Sequence, residues 1–484
     1  MKLAVISDLH FSRENNTTLP SRSGKYADIF LLRVVKRLNR YIKPDAVFIG
    51  GDLIDAPKAP DAMALLGELK QIIDMLDAPV IVIPGNHDPE PDIFYTVFER
   101  PPAFLDVQGV RLLPFIDPPA PGYNATRQDD AIQSMRRFAE EAGGPSVTLQ
   151  HVPLFKPETS PSPYNYTNCQ EIIEVMKSAG VKASISGHYH KGFSAVKCDG
   201  FYAATAPACC EKPFRFMLAD INAAGVMTTQ LQQLGIPAER ACTDWHVHSH
   251  FAYCAENMSF SATADLAKLF GLENLAICEH GRHLLMSSDD YRYGKYFEKG
   301  LRGIDIIDRM PEFLKAMQTF PANQFLLGLE LECDASGSPV LLPGRDLTLD
   351  VKLGAVHYMP PLDCYDAVKN EFLRQTKALL DHQVNILAHP FRIFRRSGLP
   401  VPAELFSVVA DMLKETSTAA EINFHTNDPE PEFFAICAEK GVKIALGSDS
   451  HNLYEIGEFY AHFEFIDKLG ISAEQLFNVR DLSH

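Results

Sequence analysis

One recurring unit constrains this chain: a short apolar run without polar alternation, followed at once by Asp, Asn, Glu or His. Leu3 to Ile6 runs into Asp8-Leu9-His10, Ala46 to Ile49 into Gly51-Asp52, and Val80 to Ile83 into Gly85-Asn86-His87-Asp88. Val147 to Gln150 runs into His151, and Ala183 to Ser186 into Gly187-His188-Tyr189-His190. Such runs are the pattern of strands buried on both faces in a parallel sheet. Segments with helical spacing, Ile29 to Tyr41 and Ala62 to Leu76, lie between the first three. The alternation predicts an α/β fold with its functional groups at the carboxyl ends of strands, where open α/β sheets bind ligands. A single Asp or His after a strand is commonly a turn residue or an N-cap, but five segments in register are poorly explained that way.

A second series opens in Cys242-Thr243-Asp244-Trp245-His246-Val247-His248. The runs Leu275 to Cys278, Leu326 to Leu331, Leu353 to Val356, Ile386 to Leu387, Ala419 to Ile422 and Lys443 to Leu446 follow it. With them come Glu279-His280, Glu330, His357, His389 and Asp449-Ser450-His451. Residues two apart point the same way from extended chain, so Asp8 with His10, and His246 with His248, are each expected to grip one ion from extended backbone. Repeated strand–ligand–helix units imply a barrel-like α/β array.

A length of 484 residues predicts two large domains, placed at 1–236 and 242–484 with Gly235 to Arg240 as a short linker. Hydrophobic content of 46% with 22% charged residues is that of a soluble globular protein. The formal net charge of -17 disfavours long nucleic acid, whose grip comes from clustered Lys and Arg. Bound divalent cations would reverse the potential locally, so small phosphorylated substrates remain admissible. Ten Cys without a C-x-x-C pattern indicate neither a zinc ribbon nor a disulfide framework and fit a reducing compartment. The amino terminus lacks a signal-peptide core and no stretch reaches a membrane span, which predicts a cytoplasmic protein with no membrane partner; a homo-oligomer stays open.

Between the motifs, Phe193 to Lys197, Phe201 to Ala204, Phe214 to Asp220 and Val226 to Gln232 read as strands completing the first domain's second sheet. The Pro-rich segments 89–144 and 156–167 are expected to form part of a substrate wall or to be ordinary connecting loops.

The blocks Asp8-Leu9-His10, Gly51-Asp52, Gly85-Asn86-His87-Asp88, His151 and Gly187-His188-Tyr189-His190 resemble, in that order, the calcineurin-like metallophosphoesterase superfamily. The compact loops look like its branch of cyclic-nucleotide and glycerophosphodiester phosphodiesterases. The resemblance implies a four-layer αββα sandwich. It implies that Asp8, His10 and His190 hold one metal, that Asn86, His151 and His188 hold another, and that Asp52 bridges them with His87 beside the leaving group. A bridging carboxylate sets two cations roughly 3.5–4 Å apart, so that both neutralise charge as phosphorus is attacked in line. Imidazole and carboxylate ligands suit Mn²⁺, Fe or Zn²⁺. Gln150 stands where many of these enzymes have a second His.

The series His246-Val247-His248, Glu279-His280, Gly328-Leu329-Glu330, Val356-His357, His389-Pro390 and Asp449-Ser450-His451 resembles the polymerase-and-histidinol-phosphatase (PHP) superfamily, most closely its stand-alone phosphatases. The resemblance implies a distorted (β/α)7 barrel with His246, His248 and Asp449 on one ion. Glu330 would be shared with a second ion held by His357 and His389, and His280 with His451 would hold a third. Cys254 stands where many members have a further His, with Glu256 two residues on. Either could be a ligand, or the third position could be weak or empty, giving two or three Mn, Zn or Fe ions. Arg282 and Arg392, just past ligand motifs, are candidates to meet a phosphomonoester dianion, or else solvated surface arginines. Asp244, His250, His283, His425 and Glu332 read as structural or ligand-orienting, and Cys278, Cys333 and Cys364 as buried small residues.

Together these readings predict a bifunctional metal-dependent phosphoesterase. Its first site would cleave a small phosphodiester, of cyclic-nucleotide or glycerol type, and its second would remove the resulting phosphomonoester. The alternatives are a nuclease or end-processing enzyme, or one active domain with a regulatory metal-binding partner domain.

Overall fold

The apolar runs of the first half become the parallel strands Lys2–Ile6, Ala46–Ile49 and Val80–Val82, with Leu3 opposite Ala46 and Val47 opposite Val80. The computed structural model describes residues 1–290, 294–320, 325–342 and 347–482. The chain divides into two compact units, Met1–Leu234 and Gly235–His484.

In the first unit, Arg215–Ile221 lies antiparallel to Lys2–Ile6, and Met227–Gln233 forms the next strand out, giving a five-stranded sheet. The other sheet has six strands in the order Phe193–Cys198, Phe201–Thr205, Val181–Ser186, Ser146–Leu149, Val110–Pro114 and Leu105–Val107. The expectation that all four strands after Gly192 complete the second sheet is therefore corrected, since the last two join the first sheet. Their patterns give the reason. Arg215–Ile221 is buried along most of its length, as an interior strand is, whereas in Met227–Gln233 only Met227 and Gln232 are buried, as suits an edge strand.

Leu3, Val5, Phe48 and Met217 of the first sheet share one buried apolar cluster with Leu112, Val147, Ala183 and Ile185 of the second. The helices Asp129–Glu140 and Cys169–Ala179 contribute Ile132, Met135, Ile172 and Met176 to a separate cluster with Leu113, Val181 and Phe201. The helix expected over 29–41 is α-helical over Ala27–Arg37 and ends in a π turn, Leu38–Ile42, with Lys43 at φ 49 before Pro44. From it, buried Arg33 and Arg37 donate to the carbonyls of Leu234 and Gln233.

Among the described residues the second unit contains seven strands: Thr243–Val247, Asn274–His280, Leu326–Leu331, Val351–Gly354, Ile386–Leu387, Ala419–Asn423 and Ile444–Gly447. They pair in sequence order, every pair parallel. The first and last approach each other, for Asp449 N donates to His246 O at 2.7 Å and His248 N to Ser450 O at 3.0 Å, so the sheet is a nearly closed barrel. Trp245, Cys278, Leu353, Ile386, Ala419 and Ala445 form one buried cluster. Gly235 to Arg240 belongs to this unit and not to a free linker, since Ile236 is buried in its core and donates to Phe270 O at 2.7 Å. Cys278 and Cys333 are buried, but Cys364 is exposed, correcting that reading: it is the N-cap of Tyr365–Asp381, whose buried face begins only at Val368. Among the described residues no helix is long and apolar enough to cross a membrane.

Trp245 is the chain's only tryptophan, 1% exposed, with Nε1 donating to Phe477 O at 3.1 Å. Its fluorescence therefore reports on the second unit. Leu353→Ala, at a fully buried position of the same cluster, is expected to lower that unit's unfolding free energy by about 2–5 kcal/mol. Denaturant titration followed by Trp245 emission checks this, and an unchanged midpoint would contradict it.

Candidate metal centres

Six of the residues singled out from sequence take backbone conformations that side chains normally avoid: Asp8 (φ 57), His10 (φ 46), Asp52 (φ 54), His188 (φ 67), His389 (φ 32) and Asp449 (φ 54). Each costs on the order of 1–3 kcal/mol and persists only where surrounding contacts enforce it. Asp8 and His10 thus do not converge from extended chain as expected. Lys2–Ile6 has ended, and the two loops pin each other, with Asp8 N donating to Gly51 O at 3.0 Å and His10 N to Asp52 O at 2.9 Å. Gly85 closes the packing, since a Cβ there would lie 2.3 Å from Asp52 Oδ1 and 2.6 Å from His151 Cε1.

Within the first unit this backbone brings Asp8, His10 and His190 together, and Asp52, His151 and His188 beside them. His10 Nε2 and His190 Nε2 are 3.2 Å apart, and His190 Nε2 is 3.5 Å from Asp8 Oδ1. Asp52 lies between the groups, with Oδ2 3.7 Å from His10 Nε2 and Oδ1 3.4 Å from His151 Nε2. His151 Nε2 is 3.1 Å from both Asn86 Oδ1 and His188 Nδ1. His87 packs edge-on against His10 at 4.8 Å, donates from its backbone to Asp52 Oδ1 at 2.7 Å, and from Nδ1 to Asp55 O at 2.9 Å.

The outer nitrogens are also fixed. His151 Nδ1 donates to Gly50 O at 2.7 Å, His188 Nε2 to Tyr123 O at 2.9 Å, and His190 Nδ1 meets Glu211 Oε1 at 2.9 Å. His10 Nδ1 lies 3.4 Å from Asp55 Oδ1, which accepts from Arg22 Nη1 at 2.7 Å. Carboxylates and carbonyls on the far nitrogen set the tautomer and orientation of a ligating imidazole. Glu211, Asp55 and Arg22 were missed from sequence. The only signal was the position of Asp55 three residues after Asp52.

The second unit gathers a larger set around Glu330. Glu330 Oε1 is 2.9 Å from His389 Nε2, 3.2 Å from His357 Nε2 and 3.6 Å from His246 Nε2, and Oε2 is 2.5 Å from His280 Nδ1. His246 Nε2 and His248 Nε2 are 3.1 Å apart, and Asp449 Oδ1 is 3.0 Å from His248 Nε2. His248, His280 and His451 form one group of ligand atoms. Cys254, with His280 and His283, forms another, its Sγ 3.6 Å from His280 Nε2. The Glu256 carboxylate instead accepts from Asn452 Nδ2 at 2.7 Å. His246, Glu279, His280 and Glu330 lie inside their strands and not past the ends.

Orienting carboxylates recur here. Glu421 meets His246 Nδ1 at 2.7 Å, Glu279 meets His248 Nδ1 at 3.4 Å, and Glu332 meets His357 Nδ1. Glu421 requires bare glycine opposite it, since a Cβ on Gly447 would lie 1.9 Å from its Oε1. Asp244 accepts from the backbone of Ser448 and Gly457 at 3.0 and 2.9 Å. His425 is held by Glu455 at 3.0 Å and stacks on His451 at 4.8 Å, while His250 is exposed against Phe251 and Phe260. The arginines are not solvated surface groups. Arg392 is 5% exposed, with Nη1 donating to Asp449 Oδ2 at 2.7 Å and Nη2 3.0 Å from His357 Nε2. Arg282 pairs with Glu332.

Both donor sets fit divalent cations. Buried Asp8 Oδ1 has no hydrogen-bond donor. Imidazole nitrogens facing each other at 3.1–3.2 Å can share one proton, and a cation between them would accept a lone pair from each. Burial opposes a charge on His190, yet Asp8 and Glu211 outweigh it and push the imidazole up to about 10. Burial likewise opposes charge on His151, and Asp52 outweighs it, to about 9.

One comparison falls within the first unit. Residues 1–192 match the family model described as calcineurin-like phosphoesterase, and the amino-terminal part is a calcineurin-like metallophosphoesterase domain. A probable phosphatase of Acetivibrio thermocellus is 26% identical over 251 residues, covering 49% of this chain and 90% of its own. A probable cyclic nucleotide phosphodiesterase of Coxiella burnetii is 26% identical over 229 residues, covering 45% of this chain and 86% of its own. A dimetal phosphatase from Danio rerio aligns with TM-score 0.40 at 13% identity, covering 48% of this chain and 98% of that one.

Because His190 and His151 hold protons at neutral pH without a metal, a metal must displace them. Mn²⁺ binding at pH 7 is expected to release protons, and its affinity to rise as pH goes from 6 to 9. Calorimetry in buffers of different ionisation enthalpy measures the release. Affinity independent of pH would contradict it.

Proposed function

We propose that this protein is a bifunctional phosphoesterase, the first unit hydrolysing a small phosphodiester and the second the resulting phosphomonoester. In this reading the first unit is a four-layer αββα sandwich and the second a distorted (β/α)7 barrel of PHP type. The observation that carries it is the presence, in each unit, of buried carboxylates and imidazoles whose inner atoms converge while their outer nitrogens are tied down. A phosphatase and a cyclic nucleotide phosphodiesterase among the relatives support the two reaction types.

When bound, divalent ions such as Mn, Fe or Zn would supply Lewis-acid polarisation of the phosphoryl group and a water of lowered pKa. The residues divide the remaining work. Asp8, His10 and His190 hold one position, Asn86, His151 and His188 the other, and Asp52 faces both with one oxygen each. His87, its Nδ1 engaged by the Asp55 carbonyl, keeps Nε2 for the leaving oxygen.

In the second unit Glu330 is shared between the groups of His246, His248 and Asp449 and of His357 and His389. His280 and His451 hold the third position, with Cys254 at its rim. Arg392, between Asp449 and His357, meets the phosphate dianion of a monoester. Arg282, paired with Glu332, acts through the carboxylate that orients His357. The absence of long Lys or Arg runs and the net charge of -17 weigh against a nuclease.

With Mn²⁺ supplied, Asp52→Asn is expected to remove hydrolysis of bis(p-nitrophenyl) phosphate by about 100-fold or more and to spare p-nitrophenyl phosphate, and Asp449→Asn to do the reverse. Steady-state rates of both variants on both esters make the test. Loss of both activities in either variant would sink the two-site reading.

A further inference from the structure

Beside the first cluster lies a cavity of about 650 Å³ that reaches Asn86 and His151 and is otherwise walled by the segments around Pro84 to Pro91, Phe115 to Ala125, and Tyr166. Its volume suits a bound organic group rather than a phosphate alone. The wall is rigid. Asp117 accepts from Arg127 Nε at 3.0 Å, from Arg127 Nη2 at 2.7 Å and from Tyr166 Oη at 2.6 Å, and Pro119–Ala120 pairs with Asn124–Ala125 as a small hairpin.

Two properties of this wall point to what it takes. The first is charge. Among the described residues no Lys or Arg lines it, while Asp88, Glu90 and Asp117 do. Arg127, bonded to the wall residue Asp117, is 1% exposed and closed off by it. A second anionic group on the substrate would meet no counter-cation beyond the metal ligands and would face Glu90. The second is the hairpin turn. Tyr123 is 68% exposed, yet it is fixed: its backbone is in the left-handed region at φ 60, its carbonyl accepts from His188 Nε2 at 2.9 Å, and its ring meets Tyr164 edge-on at 6.3 Å. Tyr164 in turn packs on His188 at 4.7 Å. A large ring held at the mouth of a cavity, in strained backbone anchored to a ligand histidine, is a prepared stacking face.

We propose that this cavity binds the organic half of the phosphodiester and takes a ring-bearing alcohol with no second anionic group, stacked on Tyr123. The proposal rests on the phosphodiesterase reading of the first unit and adds the substrate class. It extends the expectation that segment 89–144 forms a substrate wall, and of segment 156–167 it assigns Tyr166 to the cavity and Tyr164 to the support of Tyr123.

The full-length Mn²⁺-loaded protein tests it with three esters: methyl 4-nitrophenyl phosphate, thymidine 5′-(4-nitrophenyl phosphate), and the thymidine ester bearing a further 3′-phosphate. The thymidine ester is expected to have the lowest KM. Tyr123→Ala should reduce the preference for it over the methyl ester by about five-fold or more, as loss of one ring contact does, with the change in KM, and Tyr123→Phe should keep the preference. The 3′-phosphate should lower kcat/KM by about ten-fold or more, and Glu90→Lys should recover part of that loss. Asp52-dependent turnover that ignores Tyr123 and the extra phosphate overturns the inference alone. Turnover of all three esters unchanged in Asp52→Asn overturns the reading of the site, and the inference with it.

Discussion

Carboxylates buried against imidazoles, with the inner atoms of both facing a common point, set the terms for everything else in this molecule. An isolated buried carboxylate costs several kcal/mol, and partial pairing recovers only part of it. At Glu330, burial alone would raise the pKa, but His357, His280 and His246 around it hold the carboxyl well below its ordinary range. Asp52 is held low in the same way by His151 and His10 against its burial. These groups are stable together only as an alternating set of charges, and a divalent cation completes such a set better than a shared proton can.

The backbone accommodates that requirement. Left-handed conformations at Asp8, His10, Asp52, His188, His389 and Asp449 are unfavourable one by one, and long-range hydrogen bonds hold them, from Asp8 N to Gly51 O, His10 N to Asp52 O, His188 N to Asp8, His389 N to Glu421 and Asp449 N to His246 O. Short loops that turn sharply off buried strands bring side chains from distant segments to one point without lengthening the chain between them. The same economy explains the glycines that touch the centres. Gly85 sits against Asp52 and Gly447 against Glu421, where no side chain fits. The two units gather similar sets of carboxylates and imidazoles on different frames, one with two sheets, the other with a nearly closed parallel sheet.

Much of this was legible in the sequence, because buried parallel strands leave unbroken apolar runs and each run is followed by its polar group. The motif-bearing strands and the helices over 29–41 and 62–76 were readable for that reason, with boundaries shifted by a few residues, as at the π turn after Arg37; Leu105–Val107 and Val110–Pro114 were not. Partner choice was not. Arg215–Ile221 reads as a strand locally, but its place beside Lys2–Ile6 depends on residues more than two hundred positions away. Asp8 and His10 misled in a different way: spacing of two suggests extended chain, and the loop contacts that impose positive φ leave no local mark. The orienting carboxylate Glu211 was invisible, and Asp55 was marked only by its place three residues after Asp52, because an acid that touches a histidine from the side has no fixed spacing from it. Glu421 stood in plain view within Glu421-Ile422-Asn423, but its role needed the barrel to bring it to His246. Arg282 and Arg392 were visible as positions, while their burial was not.

The central claim is that each unit holds its own metal ions through its own residues, and metal content tests it most directly. Protein purified without chelator and dialysed against metal-free buffer should be assayed by inductively coupled plasma mass spectrometry, as wild type, Asp52→Asn and Asp449→Asn. The account predicts four or five ions per wild-type chain, as two in the first unit and two or three in the second. Each variant should lose only the ions of its own unit. A wild-type protein that retains ions in only one unit, or a single substitution that empties both, would contradict it.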